Sequence, residues 1–391
     1  MSEADAAASV SHVSISSNGA VSGNPRARAP HLYEIDIVRI LTFAAVIAVH
    51  TTSHTIASGD LPLAIFLGLA HFTREVFFAI TTFVLLYTYR YKPTPQRKAL
   101  PRRFLLVGVP YVVWSTIYFV ASNLHTPHAT FGQSVINYFY HLATGSAWYH
   151  LYFLLVTMQV YLLIPAIIWL VRKTRGHHML LLTAAFIVQV VLSALYMYWP
   201  NTVAAIVPYA KEYFFSYTFF IMLGAVAADH SPALLRWVRE HRGLIALITL
   251  ASAVITVGVF LIQMATGMSA YRAGTPMQPI IMFWSLAVAL AFLAVGTWWA
   301  DRRVPGSRFA KGVDVASDRS FGIFLAHPFF IWILLWIGND WFLNTVPKPW
   351  LTLVIYILVV AGAWGVTEFA RRTPLSLPLA GRPFRSRKPV R

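Results

Sequence analysis

The chain has 391 residues, of which 58% are hydrophobic and 12% are charged, and it carries a net charge of +17 without any cysteine. Ordinary soluble domains contain about 25% charged residues, so this composition excludes a soluble globular protein and predicts a membrane protein. The lack of cysteine excludes disulfides, thiolate metal sites and thiol nucleophiles.

Ten apolar runs follow one another along the chain, and each is long enough to cross about 30 Å of hydrocarbon as a helix. We therefore predict an all-α polytopic membrane protein, a bundle of about ten transmembrane helices. The runs lie near 35–54, 75–91, 104–124, 149–171, 179–199, 212–229, 244–265, 279–300, 320–338 and 350–369.

The basic residues alternate between the loops. One set of loops, together with both ends of the chain, is rich in Lys and Arg. Each loop of the opposite set holds at most one basic residue, namely Arg74, Lys211, Arg272 or Lys348. This alternation follows the positive-inside rule and predicts that both termini are cytoplasmic. It also accounts for the net charge without nucleic acid, which we do not expect as a partner.

The two ends of the chain have the composition of tails. Residues 1–31 are rich in Ser, Ala, Gly and Asn, which predicts a disordered cytoplasmic tail and not a cleaved signal peptide. Residues 371–391 carry seven basic residues and are predicted to form a second cytoplasmic tail near anionic lipid headgroups. Residues 32–370 then form one transmembrane domain, in which we find no internal repeat of the kind that builds many transporters.

Two ionisable residues, Arg39 and His50, lie inside the first apolar run. Such residues are costly in a membrane and mark functional sites by default. Eleven residues of helix separate them by about 16 Å along the axis and leave them roughly on one side. With the predicted orientation, Arg39 lies at the inner face beside Asp36, and His50 lies toward the outer face.

Other polar residues also lie either near the inner face, like Arg39, or toward the outer face, like His50. Arg102 and Arg103 start the third helix at the inner face, whereas Glu75 and His150 lie at outer helix ends and His327 lies near mid-depth. If these helices are neighbours, they form a cationic inner cluster and an outer cluster of His and Glu. Guanidinium groups suit a phosphate-bearing cytosolic ligand, and an imidazole oriented by a carboxylate suits proton transfer near neutral pH.

Purely structural explanations stay open for the same residues. Arg39 could anchor the first helix by reaching to lipid headgroups, and Asp36 could be a charge favoured at a helix N-terminus. His50 could only hydrogen-bond a neighbouring helix, and Glu75 could pair with Arg74.

The other histidines also have structural explanations. His150 could belong to an aromatic belt at the membrane interface. His125, His128 and His141 lie in an outer loop without supporting carboxylates, so no metal site is predicted there. His177 and His178 are predicted to be solvated loop residues, and no other metal site is expected.

Five sequence blocks follow one another along the chain. They are Asp36-x-x-Arg39 with His50 after ten intervening residues; Phe77-Phe78-x-x-Thr81-Thr82-Phe83; Arg102-Arg103-Phe104 through Pro110-Tyr111; His150-Leu151-Tyr152-Phe153-Leu154 through Tyr161-Leu162-Leu163-x-Pro165; and Ser320-Phe321-Gly322-Ile323-Phe324-Leu325-x-His327-Pro328. In this order the blocks resemble the integral-membrane acyltransferases called acyltransferase type 3. Thr81-Thr82 stand where that family has Ser-Gly, and Phe321 and Phe324 stand where it often has Tyr.

The resemblance implies an acyltransferase domain over residues 32–370 in a bacterial plasma membrane. Such an enzyme transfers an acyl group, usually acetyl, from cytosolic acyl-CoA to a hydroxyl of a cell-envelope glycan or a lipid-linked saccharide. Acyl-CoA is then a donor substrate, and no bound cofactor is expected. The implied roles are general base or nucleophile for His50, its carboxylate partner for Glu75, contributors to catalysis for His150 and His327, and donor binding for Asp36, Arg39, Arg102 and Arg103.

Two other functions remain compatible with the residues. Intramembrane polar groups also line the pathways of exporters and flippases, which would move a glycan or a lipid-linked intermediate without covalent chemistry. The substitutions at 81–82 and at Phe324 also leave room for a membrane sensor or scaffold with a degenerate site.

Overall fold

The structure, a computed structural model, describes residues 30–56, 59–91, 96–125, 130–347 and 350–384. The predicted tails at 1–29 and 385–391, and the loop residue His128, lie outside the described residues. Within them every regular element is a helix, which confirms the predicted all-α fold. The α-helices are α1 (Tyr33–Thr55), α2 (Leu61–Ala70), α3 (Thr73–Tyr91), α4 (Gln96–His125), α5 (Phe131–Thr144), α6 (Tyr152–Lys173), α7 (His178–Tyr198), α8 (Thr218–Asp229), α9 (Ser231–Glu240), α10 (Arg242–Ala265), α11 (Ala270–Ala273), α12 (Ile280–Arg302), α13 (Arg308–Thr345), α14 (Trp350–Arg371) and α15 (Ser376–Ala380).

Nine of the described helical stretches are long and apolar enough to cross a membrane, and a bent pair makes a tenth. This pair is Phe214–Asp229, formed by a short 3-10 helix and α8, followed after a bend of 95° by α9. Although α8 has only 12 residues, it and the preceding 3-10 helix together run beside most of α3. Arg74 at the start of α3 lies over the Tyr217 ring, and Arg90 near its end donates to the Asp229 carbonyl.

Both ends of the described chain lie at the same end of the bundle, as an even number of crossings requires. At the start of α1, the Asp36 carboxylate accepts a hydrogen bond of 2.7 Å from Ser317 Oγ in α13. Near the end of the described chain, Arg382 lies 3.7 Å from the carboxylate of Asp318. We call this the inner end; its position in the cytoplasm stays a prediction from the basic loops.

Ion pairs join the helices at the inner end. Arg239 of α9 binds Glu34 of α1 at 2.5 Å and Asp301 of α12 at 2.9 Å, and Arg242 of α10 also binds Asp301. Four helices are thereby held together where the chain leaves the hydrocarbon. Charged residues can pair there at low cost because water and headgroups solvate their outer atoms.

The sequence did not predict the helices α2, α5, α9, α11 and α15, which are short. The largest difference is the C-terminal segment from residue 371, which was predicted as a basic cytoplasmic tail near lipid headgroups. Residues 371–384 fold back onto the bundle, where Ser376 and Ala380 are buried and Trp114 Nε1 donates to the Leu379 carbonyl at 3.2 Å. The basic side chains of Arg371 and Arg382 pair there with Asp318, a contact that the composition of the segment does not reveal.

Gly224 marks the closest approach of α3 and α8, since a Cβ there would lie 2.1 Å from the Ala79 carbonyl oxygen. Gly224→Ala should therefore lower the thermal unfolding midpoint of the purified protein, with a cost of about 1–3 kcal/mol expected for overpacking. Gly258→Ala is the control, because a Cβ at that helical glycine meets nothing within 4 Å. Equal midpoints for the two variants would contradict this account of the α3–α8 contact.

Candidate active site

Three of the predicted site residues, His50, His150 and His327, come together in the structure. The His50 and His327 rings stack with their centroids 5.4 Å apart, and the His150 ring lies 5.4 Å from that of His327. They come from α1, from the loop before α6, and from α13. His150 and His327 are fully buried, so we call these three residues the imidazole cluster.

A proline fixes the orientation of His327. Pro328 lies inside α13 and has no N–H, so the Phe324 carbonyl, four residues earlier, loses its helical partner. His327 Nδ1 replaces that partner and lies 2.6 Å from the Phe324 oxygen. Because a carbonyl only accepts, Nδ1 carries the proton. His327 Nε2 therefore has a free lone pair, and it has no hydrogen-bond partner among the described residues.

The adjacent hydrogen bond of α13 is opened by a tyrosine from α4. The Tyr118 hydroxyl donates to the Leu325 carbonyl at 2.7 Å and accepts from Phe329 N–H at 3.1 Å. In a regular helix this N–H would bond that carbonyl directly. Tyr118 is fully buried, and its inserted hydroxyl keeps this backbone hydrogen bond of α13 open beside the imidazole cluster.

Glu75 is not part of this cluster. Its Oε1 accepts a hydrogen bond of 3.1 Å from Arg74, which also donates to the Pro276 carbonyl at 2.7 Å. No hydrogen bond or ion pair joins Glu75 to His50 in the described part of the chain. The expected carboxylate partnership with His50 is therefore not what the structure shows. Both side chains of the Arg74–Glu75 pair are instead buried near Tyr217, as the structural alternative required.

Of the four predicted donor-binding residues, Arg39 lines a cavity of about 260 Å³ inside the inner half of the bundle. Arg382 also lines it; sequence reasoning missed this residue because only the folding back of the C-terminal segment brings it there. Asp36 does not line the cavity and is held by Ser317 and by His31, whose Nε2 lies 2.6 Å away. Arg102 is exposed. Neither Arg102 nor Arg103 is among the lining residues, although Leu106 and Val107 of the next turn are.

One layer of aromatic rings separates the cavity from the imidazole cluster. Phe43 and Phe77 line the cavity, and their rings lie 5.4 Å and 5.9 Å from the ring of Phe324. On its other side, Phe324 lies 5.3 Å from His150 and 5.8 Å from His327. The basic cavity and the imidazoles are thus separated by the wall rings of Phe43 and Phe77 and by the ring of Phe324 behind them.

A family model described as an acyltransferase domain matches residues 32–368. The chain belongs to the acyltransferase type 3 family. No curated protein and no solved structure gave a significant match. The family match covers every helix that contributes to the imidazole cluster and most of those around the cavity, so the family assignment and the site concern the same part of the molecule.

Membership confirms the predicted resemblance and makes the protein a multi-pass membrane enzyme of the O-acyltransferase type. All five resembling blocks reach the site: the first supplies Arg39 and His50, and the last supplies Phe324 and His327. The second and fourth blocks contribute Phe77 and His150, and the third lies on the helix that supplies Tyr118.

Tyr118→Phe tests whether the inserted hydroxyl positions His327 in this acyltransferase. Without it, Leu325 and Phe329 can re-form a direct helical bond, which tightens this turn of α13 and moves the imidazole. We expect acyl transfer to fall by at least about tenfold, corresponding to about 1.4 kcal/mol, in a protein that still inserts into membranes.

Tyr356→Phe is the matched control, because the Tyr356 hydroxyl makes only a bond of 3.3 Å to the Ala44 carbonyl. Its activity should stay close to that of the wild type. A fully active Tyr118→Phe enzyme would show that the inserted hydroxyl does not matter for the reaction.

Proposed function

We propose that this enzyme transfers an acyl group, acetyl in the simplest case, from cytosolic acyl-CoA to a hydroxyl of a cell-envelope glycan or lipid-linked saccharide in a bacterial plasma membrane. One observation carries the proposal: a cavity with two guanidinium groups and a cluster of three imidazoles lie on opposite sides of one aromatic layer. A donor with phosphates and an acceptor hydroxyl need those two environments.

The cavity suits the narrow part of an acyl-CoA. Arg39 and Arg382 lie on its wall, and planar guanidinium groups bind phosphate oxygens in pairs. Its volume of about 260 Å³ is below the roughly 300–1,000 Å³ of pockets that enclose drug-sized ligands. The cavity can therefore take the acyl arm, while the nucleotide stays at the mouth, where Arg102 and Arg103 lie one turn before the lining residues of α4.

The imidazole cluster supplies the proton transfer. In the simplest course, an imidazole nitrogen takes the proton of the acceptor hydroxyl as its oxygen attacks the thioester carbonyl. The C–S bond then breaks, and the proton passes to the departing coenzyme A sulfur. His50 is the proposed base, or alternatively the nucleophile that carries the acyl group briefly, and the free lone pair on His327 Nε2 can relay the proton.

The proposed reaction requires the side chain of Phe324 to move. Its ring is fully buried between the cavity and the imidazole cluster, so the acyl carbonyl reaches the imidazoles only when this ring moves. Asp36 and Glu75 have supporting roles in this proposal. The Asp36 carboxylate joins α1 to α13 through Ser317, and the Glu75 carboxylate is already paired with Arg74 on the same helix.

His50→Ala should reduce acyl transfer from labelled acetyl-CoA by about 10²–10⁴-fold, the usual contribution of a general base, with unchanged membrane insertion. His54→Ala is the control on the same helix, since this exposed residue should lose much less activity. Transfer by His50→Ala at the rate of the wild type would refute the assigned role.

Arg39→Gln and Arg382→Gln should each raise the KM for acyl-CoA, by roughly tenfold for the loss of one charged hydrogen bond worth about 1.5–3 kcal/mol. The kcat should change less, because the guanidinium groups are remote from the imidazoles. Arg308→Gln, an exposed cation also at the inner end, controls for general charge loss. A KM that stays the same in both cavity variants would place the donor elsewhere.

Mass spectrometry of envelope glycans from cells with and without the protein identifies the acceptor and the acyl group together. The proposal predicts an ester mass increment, such as that of acetyl, that disappears in the His50→Ala strain. A glycan that is exported normally but never esterified in either strain would instead favour a carrier function.

A further inference from the structure

A second group of chemically active side chains lies at the inner end, away from the proposed reaction. It consists of His178, the first residue of α7, Asp229, the last residue of α8, and His230, which forms the bend between α8 and α9. One ligand atom from each residue lies within 4.8 Å of the other two. The site joins the start of α7 to the end of α8, and His178 and Asp229 are 51 residues apart in the sequence.

The structure holds the His178 ring in a defined orientation. This side chain is only 9% exposed, so the expectation of a solvated loop residue was wrong for it. Its Nε2 lies 2.8 Å from the Val171 carbonyl oxygen and therefore carries the proton. The Nδ1 of neutral His178 then has a free lone pair. Metal-binding histidines are commonly oriented by this kind of bond from the second ring nitrogen to a carbonyl.

The ring of His230 faces the free nitrogen of His178. His230 Nε2 lies 2.7 Å from His178 Nδ1, a distance that a hydrogen bond between the two rings explains by itself. Two nitrogens bound to a tetrahedral Zn²⁺ at about 2.0–2.1 Å are about 3.3 Å apart. His230 is exposed, so its ring can retreat by that difference. It only has to carry its proton on Nδ1 to present a lone pair at Nε2.

Asp229 adds a negative charge to the two imidazoles. Its side chain is half-buried, and its carboxylate makes no hydrogen bond or ion pair with any residue that the structure describes. The backbone beside it is fixed, because Arg90 donates to the carbonyls of Ala228 and Asp229. A hydrogen bond between the histidines does not use this carboxylate, whereas a cation would.

We propose that His178, Asp229 and His230 bind a divalent transition-metal ion of the Zn²⁺ class. Two imidazole nitrogens and one carboxylate oxygen suit such an ion, with water completing the coordination. The ion stabilises the fold, since it links the α6–α7 turn to the bend that follows the short membrane crossing of α8. None of the three residues lines the cavity or belongs to the imidazole cluster, so the site is independent of the acyl-transfer proposal.

The test uses the full-length protein, purified with a tag that contains no histidine and dialysed against Zn²⁺ alone. We expect one Zn²⁺ per chain by elemental analysis, and an unfolding midpoint that rises with Zn²⁺ and falls again with EDTA. His178→Ala and His230→Ala should each weaken Zn²⁺ binding by at least about tenfold. With Co²⁺ in place of Zn²⁺, the visible absorption of a coordinated ion should appear in the wild type and not in these variants.

His177→Ala is the matched control, because it removes an exposed neighbouring imidazole and should leave binding unchanged. His230→Ala keeps the test valid if His178→Ala fails to fold, since His230 is on the surface. The proposal is overturned if the wild type retains no more Zn²⁺ than the His178→Ala/His230→Ala double variant. A loss in His177→Ala equal to that in His230→Ala would also overturn it, as it would indicate only unspecific binding at the surface.

Discussion

Pro328 removes one hydrogen bond from α13, and the arrangement of the imidazole cluster follows from that loss. The Phe324 carbonyl is left without a helical donor, so the His327 ring turns back and donates to it. At the adjacent hydrogen bond, one residue further on, the Tyr118 hydroxyl inserts and occupies both the Leu325 carbonyl and the Phe329 N–H. An unpaired peptide group in a membrane costs several kcal/mol, which is why side chains must fill the gap. The hydrogen bond from His327 Nδ1 therefore satisfies the Phe324 carbonyl and at the same time orients the candidate catalytic nitrogen, His327 Nε2.

The sequence was sufficient for features that depend on local composition. Apolar length and the alternation of basic loops predicted the helical bundle, and the order of five motifs predicted that His50, His150 and His327 share a site. Features that depend on how distant segments meet could not be predicted. Arg382 reaches the cavity only because its segment folds back, and His178 and His230 meet although 52 residues separate them in the chain. Glu75 follows the same rule. The sequence predicts its depth in the membrane, but whether it faces His50 or pairs with Arg74 depends on the rotation of α3 about its axis, and the structure pairs it with Arg74.

The short helices show the same limit at the level of secondary structure. Hydropathy detects a segment that is apolar all round, but α9 combines buried Leu235 and Val238 with Arg239, which binds Glu34 and Asp301. Such a helix lies across the inner end and is stabilised by ion pairs with α1 and α12, so its own sequence reads as a polar loop. The bend of 95° before it ends the sixth crossing early. Arg90 and the carbonyls at the end of α8 compensate for that early end, because the guanidinium supplies the donors that the terminated helix lacks.

Helix α1 carries both Arg39 and His50, and an unbroken helix keeps its two ends at a fixed separation. Nothing in α1 can therefore bring the basic cavity closer to the imidazole cluster. The adjustable element is the aromatic layer between them, and Phe324 sits in the turn of α13 that has already lost its regular hydrogen bonds to Pro328 and Tyr118. A change in backbone angle there breaks fewer backbone hydrogen bonds than elsewhere in the helix. The missing hydrogen bonds around Pro328 thus orient His327. They also lie next to Phe324, so opening a passage for the acyl group there requires little rearrangement of the backbone.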